Sequence, residues 1–212
     1  MSSHGNRAEP AGTPTVPGLT RRSTRQRSAL RVISDTFYGA RVLIRQMSES
    51  DVDAVVGIAL ANYDGVMAEH LSADILAGFR ADITPEFFRE QLAWKRVFVA
   101  EHAGEVVATG ALADYGTPDQ PRYTVSQFYV RSDLHRRGIG RRLLEHFVAI
   151  ARDLGVDDLH VPSSRNAIRF YQHAGFTVDP LQPDAAIEMT WMTMPLCGRP
   201  VEQANRADRP GR

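Results

Sequence analysis

Four arginines and two glycines crowd into His135-Arg136-Arg137-Gly138-Ile139-Gly140-Arg141-Arg142, between an apolar run ending at Val130 and an amphipathic stretch continuing to Leu154. A helix opening here adds about half an elementary positive charge of its own and several N–H groups with no intrahelical partner. Cations in that first turn cost roughly 0.3–1 kcal/mol each, so the composition asks for an anion. Gly138 and Gly140 would let a ligand approach the main chain, and free N–H groups at a helix start suit a phosphate. The plainer alternative is a solvated basic turn whose glycines serve geometry alone. A nucleoside-triphosphate loop is excluded because no Lys-Ser or Lys-Thr follows the glycines, and a dinucleotide fingerprint lacks its third glycine.

The elements that must position this turn can be read from periodicity. Residues 40–46 are β-rich, and Ser48-Glu49-Ser50-Asp51 is a helix-start signal before Val52, Val55, Val56 and Ala59. Residues 63–83 read as irregular or partly helical. Thr84-Pro85-Glu86 supplies an N-cap, a proline and an acidic first turn for a helix over 87–94. Residues 97–100 and 105–112 form an expected antiparallel hairpin through His102-Ala103-Gly104, and 123–130 is the next strand. From Gly138 to Leu154 the spacing of Ile139, Leu143, Phe147, Ile150 and Leu154 predicts a helix with one buried face, ended by Gly155. A short strand at 159–161 leads to Ser163-Ser164, which caps a helix over 166–174, and Gly175 stops it. Strands at 176–178 and 187–194 complete an α/β (α+β) chain with a mixed sheet covered by helices.

Two motifs in this order resemble a known family. The run from Val130 to Gly140 is similar to the acyl-CoA pyrophosphate loop of the GNAT superfamily of N-acetyltransferases, Gln/Arg-x-x-Gly-x-Gly/Ala, with His135 departing at the first position. Asn166-Ala167-Ile168-Arg169-Phe170-Tyr171-Gln172-His173-Ala174-Gly175-Phe176 resembles the family's Asn-x-x-Ala-x-x-Phe-Tyr-x-x-x-Gly-Phe signature, with its alanine shifted. The resemblance covers about residues 41–195. It implies a mostly antiparallel central sheet with helices on both faces and a splayed strand pair that holds acyl-CoA. Pantetheine would pair with the strand at Phe128, Tyr129 and Val130. The pyrophosphate would lie on the turn of His135, Arg136, Arg137, Gly138, Ile139, Gly140 and Arg141. Asn166 and Phe170 would complete the cofactor site, although an asparagine near a helix start is also a common cap.

The resemblance further implies an N-acetyltransferase passing an acetyl or other short acyl group from acyl-CoA, taken as acetyl-CoA, to a primary amine by direct attack. Tyr171 would be the general acid that protonates departing thiolate. Against this, Ala167, Phe170, Tyr171 and Ala174 share a helical face, so Tyr171 could be core. Many relatives carry a glutamate base on the strand before the loop, but Thr124, Ser126 and Gln127 stand there. A water chain held by Thr124 or Ser126, or Asp114, Glu101 or His160 on neighbouring strands, are the alternatives, and an amine of low pKa needs no base, so none is assigned. The acceptor, a small molecule or a protein amine, would be met by the segment holding Tyr63, Asp64, Glu69, His70 and Asp74. Its acidic groups could draw a cationic amine or form an ordinary solvated face.

Composition bounds the rest. The chain has 212 residues, 43% of them hydrophobic, enough for one substantial core. The formal net charge of zero hides a segregation: residues 1–31 carry six arginines and one glutamate, a net +5, which the remainder balances. Residues 1–39 read as a disordered basic arm, 40–196 as the acetyltransferase domain and 197–212 as a disordered tail. The arm lacks aromatic interleaving, which argues against nucleic acid. The competing function is a non-catalytic acyl-CoA-binding module that uses this arm on nucleic acid. No run is long and apolar enough for a membrane span, no secretory or twin-arginine signal is recognisable, no metal is expected, and the lone Cys197 suits a reducing compartment, so the cytoplasm is expected, with an Arg- and Ser-rich organellar transit segment as the alternative. Family members are often dimers, and the resemblance extends that option to this chain.

Overall fold

The computed structural model describes residues 35–37, 40–184 and 188–196. Eight strands form one sheet: β1 (Asp35–Phe37), β2 (Ala40–Gln46), β3 (Arg96–His102), β4 (Glu105–Asp114), β5 (Tyr123–Val130), β6 (Asp158–Ser163), β7 (Thr177–Asp184) and β8 (Met189–Pro195). Five helices accompany them: α1 (Val52–Asn62), α2 (Ala73–Ala81), α3 (Pro85–Leu92), α4 (Ile139–Asp153) and α5 (Ile168–His173). The strand order is β1-β2-β3-β4-β5-β6-β8-β7, and all neighbours run antiparallel except β5 and β6. That parallel pair is registered at one position alone, where Thr124 stands opposite His160. Beyond this point the two strands part.

Alternation along the strands sorts side chains onto two faces. Val97 and Val99 of β3 meet Val52, Val55 and Ala59 of α1 and Phe88 of α3, whereas Phe98 and Ala100 meet Leu143, Phe147 and Ala151 of α4. Helices therefore cover both faces, and each fully buried leucine or phenylalanine contributes about 1.5–3 kcal/mol. Helix starts follow the sequence signals. The Phe87 N–H donates to Thr84 Oγ1 at 3.1 Å, and Asp51 Oδ2 accepts from the Ser48 N–H at 2.8 Å. Asp51 is also held by both terminal nitrogens of Arg45, at 2.7 and 2.8 Å, which ties β2 to the entrance of α1. The Arg45 guanidinium keeps the Asp51 carboxyl well below the usual carboxylate range.

Three differences from the sequence reading concern the fold. The stretch read as irregular or partly helical holds a π turn at Tyr63–Met67 and the whole of α2, whose short, exposed amphipathic pattern gave a weak periodic signal and no bounds. β1, at Asp35–Phe37, lies inside the segment assigned to the basic arm and pairs with β2, so the sheet begins before Ala40. β7 runs on to Asp184, through two prolines, past the short strand expected at 176–178. The remainder of the arm and the tail at 197–212 fall outside the described residues.

Candidate active site

β5 and the turn after it form the core of the site. β5 carries a bulge: Thr109 faces Tyr129 and Ala111 faces Ser126, so Gln127 and Phe128 together oppose Gly110, and Gln127 has φ +51°. A Cβ at Gly110 would stand 2.7 Å from Phe147 and 3.0 Å from Phe128, so only glycine lets those rings pack there. The Arg131 N–H donates to Val107 O, which by strand alternation turns the main-chain groups of Tyr129 towards β4 and those of Val130 towards the open edge. At that edge the Val130 carbonyl accepts from Asn62 Nδ2 at 3.1 Å and from His135 Nε2 at 3.0 Å. His135, the departure from the family pattern, thus ties the turn back to the end of β5.

The turn then enters α4 through residues with positive φ, Arg136 at 60° and Gly138 at 80°. The first intrahelical bond is Arg142 N–H to Gly138 O, leaving the N–H groups of Ile139, Gly140 and Arg141 without helical acceptors. Arg136 and Arg137 have no ion-pair partner among the described residues, while Arg141 lies 3.7 Å from Glu145 and both are exposed. A Cβ at Gly140 would meet Val130 and Phe170 at 3.4 and 3.6 Å, ordinary contact distances.

A cavity of about 500 Å³ opens between the parted strands and runs to this helix start. Phe128, Val130, His135, Arg136, Gly138, Ile139, Gly140, Arg141, Asn166 and Phe170 all line it. Of the expected binding residues, Arg137 and Tyr129 do not. Tyr129 differs because its side chain points to the other face, where its hydroxyl lies 3.1 Å from that of Tyr63. Asn166 sits in a 3₁₀ turn at Arg165–Ala167, one turn before α5; the N-cap position of that turn belongs to Ser164, and the exposed Asn166 amide makes no hydrogen bond. Its capping role is not realised, which leaves the amide free for a ligand.

A second cavity, about 200 Å³, adjoins the first and shares Met67, Phe128, Ser164 and Ala167 with it. Tyr171 lines this one. Its side chain is packed against Phe128, Phe170 and Phe176, and its residual exposure of 4% faces the cavity, where the hydroxyl makes no hydrogen bond to any described residue. Burial pushes the Tyr171 phenol well above its ordinary range, so it holds its proton at neutral pH. Tyr171 is thus part of the core and also borders the cavity; the two readings of its helical face are both realised.

The candidate bases are scattered. Asp114 Oδ1 accepts from the Gly116 and Arg122 N–H groups and closes a turn, Glu101 is paired with Arg45 at 3.0 Å, and His160 bonds Thr193. None of these lines either cavity. Ser126 does, with its hydroxyl 3.2 Å from that of Tyr115. The expected acidic acceptor face is also absent from the cavities: Asp64 pairs with Arg80 at 2.5 Å, and Glu69, His70 and Asp74 are on the surface, whereas Tyr63 is buried in the second cavity. Asn62 and Gln127 escaped notice as site residues. Asn62, an amide inside an otherwise apolar helix, was the available signal; the Gln127 bulge had none. Both polar atoms of the Gln127 amide are shielded from solvent and unpartnered.

The one parallel pair of the sheet thus parts beside a glycine-containing helix start. The sequence profile of the acetyltransferase (GNAT) family matches residues 53–176, and the chain belongs to that family. No curated protein sequence matches it significantly. Among solved structures it is similar to the PaiA N-acetyltransferase of Thermoplasma acidophilum in complex with coenzyme A, at 15% identity over 73% of this chain and 98% of that one, with a TM-score of 0.63. It is also similar to a GCN5-related N-acetyltransferase from Rhodopseudomonas palustris, at 22% identity over 72% and 94% of the two chains (TM-score 0.59). The YncA structure of Salmonella typhimurium with its cofactor acetyl-CoA gives 23% identity over 77% and 98% (TM-score 0.54). At these identities the likeness establishes the fold. No described helix is long and apolar enough to cross a membrane, and the described residues hold no cluster of three metal-ligating side chains.

Proposed function

We propose that the protein transfers an acetyl or other short acyl group from acyl-CoA to a primary amine. The observation that carries this reading is the cleft of about 500 Å³ between the parted strands, ending on the N–H groups of residues 139–141, which have no helical acceptor, and on the side chains of Arg136 and Arg141. Pantetheine would lie along the open edge of β5 beside Val130, with Phe128 and Phe170 against it and the Asn166 amide as a hydrogen-bond partner. The pyrophosphate would take the N–H groups of residues 139–141, with charge-assisted bonds from Arg136 or Arg141. Coenzyme A bound to the Thermoplasma relative supports the same assignment.

The thioester would then reach the second cavity beside Tyr171. A neutral amine attacks its carbonyl, forming the C–N bond; collapse of the tetrahedral intermediate breaks the C–S bond and expels thiolate. The Tyr171 phenol donates to that sulfur. As the C–S bond breaks the phenol passes its proton to sulfur, so that CoA leaves as the thiol, and the proton lost by the nitrogen returns to Tyr171 by way of solvent. The cytoplasm, which supplies acyl-CoA and keeps a lone thiol reduced, is the compartment this reading expects.

Thiol release from acetyl-CoA across a panel of amines tests the reading. Amine-dependent release is expected, and Tyr171→Phe lowers kcat by about 100-fold while leaving the affinity for acetyl-CoA within about twofold. A protein that binds acetyl-CoA and acetylates nothing contradicts it and favours a non-catalytic acyl-CoA-binding module.

A further inference from the structure

The second cavity has an unusual wall for a site meant to receive an amine. Five aromatic rings, Tyr63, Phe79, Phe128, Tyr129 and Tyr171, enclose it together with methionine, valine, alanine and proline side chains. Among the described residues that line it there is no carboxylate, imidazole, lysine or arginine. Its polar groups are two serines, a glutamine and the phenol hydroxyls. Two of those hydroxyls, of Tyr63 and Tyr129, lie 3.1 Å apart and occupy each other. Burial raises all three phenols, which therefore stay neutral and cannot take a proton near pH 7.

An alkylamine meets two obstacles here. With a pKa near that of a lysine, about 10.4, only about one molecule in a thousand is neutral at physiological pH. The rings would favour the ammonium through cation–π attraction, which holds the unreactive protonation state, and the described wall offers nothing to remove its proton. An amine whose lone pair is delocalised into an aromatic ring escapes both. It is neutral in solution, needs no base before attack, and its ring suits an aromatic wall. Size agrees as well: an apolar cavity of about 150 Å³ accommodates a benzene ring, and this one measures about 200 Å³.

We propose that the acceptor is an aromatic primary amine of low basicity, an arylamine, with its ring against Tyr63 and Phe79 and its nitrogen directed to the shared wall near Phe128 and Ser164. The proposal rests on the N-acyltransferase reading and narrows its substrate class. The reaction is the same substitution: the aryl nitrogen forms the C–N bond, coenzyme A leaves as the thiol, and the aryl ammonium formed on attack is acidic enough to lose its proton to water.

Full-length protein is assayed with acetyl-CoA and, separately, para-methoxyaniline, benzylamine and spermidine, measuring thiol release and acetylated product by mass and subtracting the uncatalysed rate. The expected kcat/KM at neutral pH is at least about tenfold higher for para-methoxyaniline, with a flat profile between about pH 6.5 and 8.5. Phe79→Ala, at a half-buried ring on a surface helix, raises the KM of para-methoxyaniline by about tenfold and leaves that of acetyl-CoA unchanged. A preference for benzylamine or spermidine, with a rate climbing about tenfold per pH unit, overturns the arylamine assignment and leaves the transferase reading standing. Acetylation of none of the amines, with acetyl-CoA still bound in a thermal-shift titration, overturns both.

Discussion

Gln127 combines two local costs in one residue: a positive φ on a non-glycine residue and an amide whose nitrogen and oxygen are both shielded and unpartnered. Each is worth about 1–3 kcal/mol, and such costs persist where the surrounding structure holds them for a purpose. The bulge they accompany turns Phe128 towards the first cavity and sets Ser126 against the second. Gln127→Met, which removes the orphaned amide at similar volume, is expected to raise the unfolding free energy by about 1 kcal/mol in urea denaturation while lowering kcat/KM. Unchanged activity in a stabilised variant would assign the strain no role. Tyr171 is the opposite case. Its type and its place in the signature pointed to chemistry from the sequence alone, whereas the cavity beside it is made by residues that are distant in sequence and had no common motif.

At the scale of elements, the entrance to α4 separates two glycines that look equivalent in the sequence. Gly138 has φ +80°, a conformation that costs a side-chain-bearing residue about 1–2 kcal/mol, whereas Gly140 is helical and a Cβ there meets only ordinary contacts. Gly138→Ala is therefore expected to lower stability by about 1 kcal/mol and to weaken acetyl-CoA binding, and Gly140→Ala to be near neutral in both; equal losses at the two positions would contradict this geometry. The α4 stripe, the capped start of α3 and the strand pairs were legible because their signals are local and periodic. The α2 segment was legible only as partly helical and without bounds, since a short exposed helix buries too little to impose a pattern, and β1 was lost beside a polar, proline-containing stretch. Splaying of β5 from β6 came from the family resemblance alone, because no local sequence rule encodes where two strands cease to pair. The base candidates failed for the same reason: Asp114 and Glu101 had the right chemistry, and their hydrogen bonds to a turn and to Arg45 commit them elsewhere.

Across the whole molecule, all but one of the 25 lysines and arginines are arginine. Lys95, the only lysine, sits between the end of α3 and β3 with 9% exposure, its ammonium 4.7 Å from the Trp94 ring and 5.3 Å from that of Tyr115, with no carboxylate partner among the described residues. Burial lowers its pKa from 10.5 to about 8. Between those values the unfolded chain keeps a proton the folded chain has shed, so this group makes stability rise with pH across that window. Lys95→Met is accordingly more stable than the parent at pH 7, with a margin that narrows as pH climbs from about 8 towards 10.5. Chemical denaturation at both ends of the window checks this, and a constant margin would contradict it. The account as a whole turns on the long cleft that joins the helix start to the buried phenol, and calorimetric titration of the intact chain with acetyl-CoA and with acetyl-pantetheine tests it most directly. Acetyl-CoA is expected to bind at least about 100-fold more tightly, since each lost bond to a charged phosphate is worth about 1.5–3 kcal/mol. Equal affinities, or no binding of either, would contradict the assignment of the arginine-glycine turn to a pyrophosphate.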